Sequence, residues 1–428
     1  MTKPPSSPES WAYLSRVVEG PSIHLQHLLS QGKTADQIAH GVRTRASWLG
    51  ALGPQTQHRY TWDQPAQDLE RAKAAGYKLV TSDSPEWPGE RIKQVFHCDY
   101  PESGRKLDLN QDAVAPHALW VKGNANLATL LAQSVGIVGT RTATAYGRGA
   151  TENLVQGLAK HQYTIVSGGA LGIDTAAHRA ALDCGAPTVV VAACGPGYYY
   201  PLSNEMLFER VCASGGAIIT EYPPGTTPDR HRFLTRNRLV AGLTQGTVLV
   251  EAAFRSGALN TLKWVNNLNG KAMAVPGSIT ATESLGTNLA IQNEQASMVL
   301  NADQIHEMIS ELGTIDEAMQ QEFNFPKTLV QQLSHNELRI YDALPRAGEG
   351  ARLAEDIAAE VEEYLASFED EDGQAPEGSA EQSTQDTAGS TDGEGSTGSD
   401  GSAGSEGPTG IDGSTDPEDP SGPETPQA

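Results

Sequence analysis

Only four cysteines occur in 428 residues, and no two of them stand in a Cys-x-x-Cys spacing. Cys98, Cys184, Cys194 and Cys212 therefore offer neither a zinc site nor a disulfide framework, and they read as reduced residues of a cytoplasmic protein. Long apolar runs are missing too. No stretch approaches the ~20 residues a membrane-spanning helix needs, and the opening Met1-Thr2-Lys3-Pro4-Pro5 lacks the apolar core of a secretory signal. A membrane role is not expected. Basic residues vanish near the end: residues 369–428 hold 16 acidic and no basic residues, so they carry −16 of the net −23 and leave −7 for residues 1–368. This composition, rich in Gly, Ser, Thr, Pro and Gln, cannot offset its ordering entropy, and disorder is expected over 367–428. The overall pI of 4.8 argues against a nucleic-acid partner. With the tail set aside, that argument weakens.

What is present divides into segments. Residues 9–60 read as a small helical module, with helical patterns at 11–18, 23–30 and 34–42 separated by Gly20-Pro21 and Gly32. The pattern suits a SAM-like or helix-hairpin-helix unit, or a plain packing module. Residues 66–312 form the main domain. Its lead-in has a helix at 69–75, strands at 78–81 and 118–122, and a polar insertion at 99–112 expected to loop out. Apolar strands follow at 135–138, 164–166, 188–192, 217–220, 247–250 and 271–275, with helices at 145–160, 175–183, 206–213, 259–268 and 303–312. Such alternation implies an α/β, extended Rossmann-like fold whose mostly parallel sheet is covered on both faces. Residues 327–366 resemble the start of a winged-helix-like domain that stops short, with Leu338, Ile340, Tyr341 and Leu344 as one amphipathic set.

In open α/β sheets, ligands sit outside the carboxyl ends of the strands. The first such end reads Gly139-Thr140-Arg141 before a helix. Its spacing is not G-x-G-x-x-G, and no G-x-x-x-x-G-K-[ST] occurs, so it is either a plain turn or a phosphate turn with Arg141 adding a fork of donors. The second strand end carries Ser167-Gly168-Gly169, with Asp174 placed to cap the next helix. Asn204, after Tyr200-Pro201, reads as another cap. Later ends carry Glu251 with Ser256-Gly257, and Pro276-Gly277-Ser278. Glycine-bearing turns on one edge line a groove rather than a single pocket. The most basic stretch precedes the fifth of these strands: Arg230, Arg232, Arg236 and Arg238 surround Phe233 and Asn237. Cations for phosphates and a ring to stack a base are what a single-strand binder needs. The same stretch also reads as a solvated helix face with Phe233 in the core. His178, one turn beyond Asp174, and Glu251 invite a catalytic reading, yet no Ser or Cys nucleophile is placed beside them, and both also suit structural hydrogen bonds.

Taken in order, these motifs resemble the DNA-processing protein A (DprA, or Smf) family: Gly139-Thr140-Arg141 with Tyr146-Gly147, Ser167-Gly168 with Gly172-Ile173-Asp174 and His178, Tyr200-Pro201 with Asn204, Glu221 with Pro223-Pro224-Gly225, Arg236-Asn237-Arg238, Glu251 with Ser256-Gly257, and Pro276-Gly277-Ser278. The resemblance spans roughly residues 10–310. It implies a dimeric single-stranded-DNA-binding protein, not an enzyme and without a cofactor or metal, that protects strands and loads the RecA recombinase during natural transformation or homologous recombination. It places Gly139, Thr140, Arg141, Ser167, Gly168 and Gly169 in a phosphate pocket, and Phe233, Arg236, Asn237, Arg238, Ser256 and Gly257 along the groove. Gly169 departs from the family, which more often has an apolar residue there. An alternative is a Rossmann-like nucleotide phosphoribohydrolase of the lysine-decarboxylase-like group, or a nucleotide-sensing module. Gly246-Thr247 followed by Glu251 suits that group, but the Pro-Gly-Gly it carries before the Thr is absent.

The acidic tail generates its own expectation. As a Gly/Ser-type coil of ~60 residues it has an r.m.s. span of roughly 40–45 Å, enough to reach across a domain of this size. Its carboxylates then compete with DNA for the groove, most strongly where salt screening is weak. Truncation after Ser367 is expected to tighten single-strand binding at low salt, with the gain shrinking near 0.15 M, where the Debye length is about 8 Å. Unchanged low-salt affinity in an anisotropy titration leaves the tail a solubilising one.

Overall fold

The computed structural model describes residues 5–100, 113–310 and the single position 344. The expected winged-helix-like segment at 327–366 and the acidic tail lie outside the described residues, Leu344 apart, as does the polar insertion from residue 101 onward.

Nine strands form one sheet: β1 Tyr77–Thr81, β2 Ala118–Lys122, β3 Ser134–Val138, β4 Thr164–Ser167, β5 Thr188–Val191, β6 Ala217–Thr220, β7 Gly246–Leu249, β8 Lys271–Ala274 and β9 Ser297–Met298. Their order is β1-β2-β6-β5-β4-β3-β7-β8-β9. From β6 to β9 every pairing is parallel, while β1 and β2 add an antiparallel edge. The fold is therefore α/β and Rossmann-like. Starting at β3, the chain first builds outward through β4, β5 and β6, then returns to lay β7, β8 and β9 on the other side. That reversal puts the topological switch point between β3 and β7, where a crevice opens outside the carboxyl ends of the strands.

Alternation along each strand sends side chains into two layers. Val135 and Ile137 of β3, Ile165 of β4 and Val248 of β7 pack under the helices Ala145–Lys160, Ile173–Asp183 and Ala302–Ile309. Val138, Val166 and Leu249 face the opposite layer, under Gly89–Val95, Arg230–Leu243 and Ala258–Asn267. A third cluster, with Trp120, Phe208 and Ile218, fills the antiparallel end.

The first helices, Pro8–Val18, Ile23–Ser30 and Ala35–Thr44, share a core of Trp11, Tyr13, Leu14, Leu25 and Ile38. They dock onto the sheet through polar links. Trp11 Nε1 donates to Asp83 at 2.9 Å, buried Trp120 Nε1 to Ser15 at 3.0 Å, and Arg232 pairs with Glu19 at 2.6 Å. Arg16 also binds the fully buried Asp68 and the Pro224 carbonyl.

Two buried histidines show how the interior handles ionisable groups. His178 Nδ1 lies 2.8 Å from Thr188 Oγ1, whose own proton goes to the Ile165 carbonyl at 2.7 Å, so this nitrogen carries the hydrogen. Burial first, then the Arg236 charge, hold His178 down to about 3. Burial and Arg238 likewise hold His117 to about 4. Both stay neutral in the folded state but protonate near pH 6.5 when unfolded, so the unfolded chain binds more protons and stability falls as pH drops through 6.5 toward 4. A denaturant midpoint measured across pH 4–8 is expected to be flat above 7 and to fall below 6.5. His178→Asn should make that fall shallower, with His117 supplying what remains. This isolates the imidazole from Asp174, whose carboxyl burial pushes up and which works in the opposite direction.

Candidate nucleic-acid interface

The crevice at the switch point is a cleft of about 830 Å³, walled by the turns after β3, β4 and β7 and by the helix Arg230–Leu243. Two glycine-bearing turns interlock to form its floor. Thr140 N–H donates to the Glu251 carbonyl at 2.7 Å, and Ile173 N–H donates to the Thr140 carbonyl at 3.1 Å. Gly172 stands at φ +83°, and a Cβ there would come within 2.2 Å of the Thr140 carbonyl oxygen, so no other residue closes the turn this way. At the third wall, Gly257 caps the helix Ala258–Asn267, whose amino end therefore opens toward the cleft. Helix N-termini favour phosphate.

The four arginines of the basic stretch go to different places: Arg230 and Arg232, like Arg236 and Arg238, are two apart and do not share a face, while Arg232 and Arg236, a turn apart on one face, find different partners. Arg232 pairs with Glu19. Arg236 is 4 % exposed, and its Nη1 donates to the Gly168 carbonyl at 2.6 Å and to the Val191 carbonyl. It lies so close to Gly168 that a Cβ there would sit 2.3 Å away. Arg236 lines the cleft as part of its frame, between Asp174 and the strand ends. Arg238 does not reach the cleft. It is 1 % exposed and donates to Glu221 Oε1 at 2.6 Å on the far side of the helix. Arg230, at the helix start, is exposed on the rim. With Arg141 and Arg255 it makes three exposed rim arginines, none of which is ion-paired among the described residues. Asn237 lines the wall and donates to Asn260 at 3.1 Å, tying the two helices together.

Phe233 occupies the centre. Its ring centroid is 5.1 Å from that of Tyr200 at 55°, and the guanidinium carbons of Arg141 and Arg236 lie 5.7 and 5.9 Å from it. Gly139, Thr140, Gly168, Ser256 and Gly257 line the same cleft. Ser167 and Gly169 do not. Ser167 Oγ donates to the Ile137 carbonyl at 2.6 Å, joining β4 to β3, and Gly169 backs onto Phe208 and Val190. The latter packing leaves no room for the apolar side chain that the resemblance suggests at this position.

Of two expected caps, Asn204 holds the N-cap position of the helix Glu205–Ala213 and Asp174 does not hold that of its own. The N-cap of the helix Ile173–Asp183 is Gly172, and Asp174 sits inside the first turn, accepting from Ala170 N–H at 3.3 Å. Asn204 makes no capping bond; its amide donates to the Gly169 carbonyl at 3.1 Å and Thr175 Oγ1 at 2.8 Å, fastening the loop of Tyr200 to the second turn. Glu251 is buried, and its carboxylate accepts from Thr144 N–H at 3.0 Å and Thr144 Oγ1 at 2.5 Å. That arrangement anchors the helix Ala145–Lys160. Sequence reasoning missed Arg255 and Tyr200 as cleft residues. Their places in the loops that follow β7 and β5 were the available signal.

The strand order and the cleft at its switch point define a Rossmann-like protein with a cationic, aromatic-centred crevice. The chain belongs to the DNA recombination-mediator protein A family, whose model matches residues 91–310. It is 39 % identical over 352 residues to a DNA processing protein DprA of Mycobacterium tuberculosis, covering 82 % of this chain and 85 % of that protein. The DprA of Streptococcus pneumoniae is 37 % identical over 198 residues, covering 46 % and 68 % respectively. An X-ray structure of Streptococcus pneumoniae DprA superposes with a TM-score of 0.56 and 27 % identity over 72 % of this chain and all of that one.

The division of labour among the arginines predicts opposite phenotypes. Arg236→Ala removes a buried guanidinium and strips partners from two carbonyls and Asp174, and is expected to cost roughly 3–5 kcal/mol, read as a lowered denaturant midpoint. Arg141→Ala, at the exposed rim, should stay within about 0.5 kcal/mol of the unmodified protein.

Proposed function

We propose that this chain is a single-stranded-DNA-binding protein of the DprA type, without catalytic activity of its own. It acts in the cytoplasm as a homodimer, protects incoming or processed strands and passes them to a RecA recombinase. A role in DNA processing and recombination follows from the family. The observation that supports single-strand binding is the meeting, in one cleft, of three rim arginines without an ion pair among the described residues, the Phe233–Tyr200 ring pair and a helix amino end. Cations along a groove hold the backbone, and rings accept any base face, so binding needs no sequence readout. The handover to RecA and the dimer rest on the family resemblance. No helix among the described residues is long and apolar enough to cross a membrane.

The nucleotide-hydrolase reading finds little support, because it needs a free carboxylate and Glu251 is already committed to Thr144. Fluorescence anisotropy with a labelled oligonucleotide tests the proposal. Single strands should bind more tightly than duplex, with mononucleotide a poor competitor. The log–log salt slope should be about −0.7 for each phosphate neutralised, and Arg141→Ala or Arg255→Ala should each flatten it by about 0.7 across all sequences. Equal or tighter duplex binding, or release of free base from a nucleoside monophosphate that Glu251→Gln abolishes, overturns the reading.

A further inference from the structure

Large apolar side chains are exposed in sequence around one flank of the cleft. Phe254, 59 % exposed, stands between the cleft-lining Ala253 and Arg255. Gly286 packs onto the carbonyls of Ala252 and Ala253, where a Cβ would lie 2.6 Å from the first of them, and this sets the exposed Leu285 beside the same turn. Ser284 fills the space against Gly277, and the Tyr146 ring comes within 3.7 Å of where a Cβ of Gly277 would be. Ile279, two residues further along that turn, is 94 % exposed. A path thus leads from the rim at Arg255 through Phe254 and Leu285 to Tyr146 and Ile279, crossing the carboxyl ends of β7 and β8.

Tyr146 is held at both ends. Its backbone belongs to the first turn of the helix Ala145–Lys160, whose cap Thr144 is gripped by Glu251, and its hydroxyl donates to the Pro276 carbonyl at 2.5 Å. Half of the residue remains exposed. An immobilised ring loses little entropy when a flat group stacks on it. Charges of both signs border the path: Arg255 is exposed at its start, Glu251 is buried and occupied, and Glu283 is half-buried with its carboxylate accepting from Thr282.

We propose that this shelf carries the bases of a single strand beyond the cleft, with Phe254 and Tyr146 as stacking platforms; the inference rests on the reading of the cleft as a single-strand site. Bases suit the shelf better than a protein partner does. It is continuous with the cleft at Arg255, and the Tyr146 ring, fixed through its hydroxyl, accepts any base. The phosphates follow Arg255 while the bases turn outward onto the rings.

The test uses the full chain and oligothymidylates of roughly 4 to 16 nucleotides, the range of site sizes among single-strand binders. Phe254→Ala and Tyr146→Ala should each weaken binding of the longest strands about tenfold, leave the shortest unchanged and keep the salt slope. Tyr146→Phe, which retains the ring, should restore most of the loss. 2-Aminopurine placed past the cleft should be quenched by the unmodified protein and not by the alanine variants. Phe254 is exposed and outside the core, so its variant keeps the test open if Tyr146→Ala misfolds. Unchanged affinity for long strands overturns the shelf, as does a loss confined to self-association or to recombinase binding. Arg141→Ala separates the two readings: it should weaken strands of every length. If the unmodified protein binds no single strand at all, the cleft reading falls and the shelf with it.

Discussion

The cleft depends on one buried guanidinium. Arg236 reaches from the helix Arg230–Leu243 to the carbonyls of Gly168 and Val191, and so bolts that helix across the carboxyl ends of β4 and β5. A buried cation is tolerated only where its charge is answered, and here the answer comes from two carbonyls and the nearby Asp174 carboxyl. Two turns of chemistry follow from it. Gly168 must lack a side chain because the guanidinium lies against it, and Phe233, one turn earlier on the same helix face, is presented to the cleft. Arg238 and Glu221 repeat the device on the helix's other side. The helix is thus pinned on two faces by charges hidden from solvent, and only its beginning, at Arg230, offers a charge outward.

Much of the fold was legible because the parallel strands are continuous apolar runs between turn residues. All eight longer strands fall within a residue or so of their expected places, and the helix Ala145–Lys160 coincides with its pattern. β9 was not legible, being two exposed residues on the sheet edge with too little pattern to show. The helix Arg230–Leu243 was read as a basic stretch, since its apolar residues, such as Leu239, Val240 and Leu243, come late and its early turns are polar. Side-chain direction was the harder matter. Glycine turns announced the site's location, but sequence alone assigns four neighbouring arginines the same role. Helical rotation parts Arg236, on its carbonyls, from Arg238, on Glu221, and Arg232, one turn before Arg236, meets Glu19 instead.

Asp174 and Asn204 make the same point for caps. Asn204 occupies the N-cap position and Asp174 lies two residues inside its helix from the cap Gly172, and the side chain of each is spent on holding turns rather than on a capping bond. In a site assembled from several strand ends, joining those ends competes with local helix capping, and here it wins. Glu251 is a further case. At a strand end it looks available for chemistry, and the hydroxyl and N–H of Thr144 consume it.

The three exposed arginines of the rim sit on separate elements: Arg141 after β3, Arg230 at a helix start, and Arg255 after β7. None of them is part of the frame that keeps the cleft open. Losing one of them subtracts grip on a polyanion and leaves the crevice standing, whereas losing Arg236 takes away the frame itself. Affinity and architecture are thus set by different arginines of the same cleft.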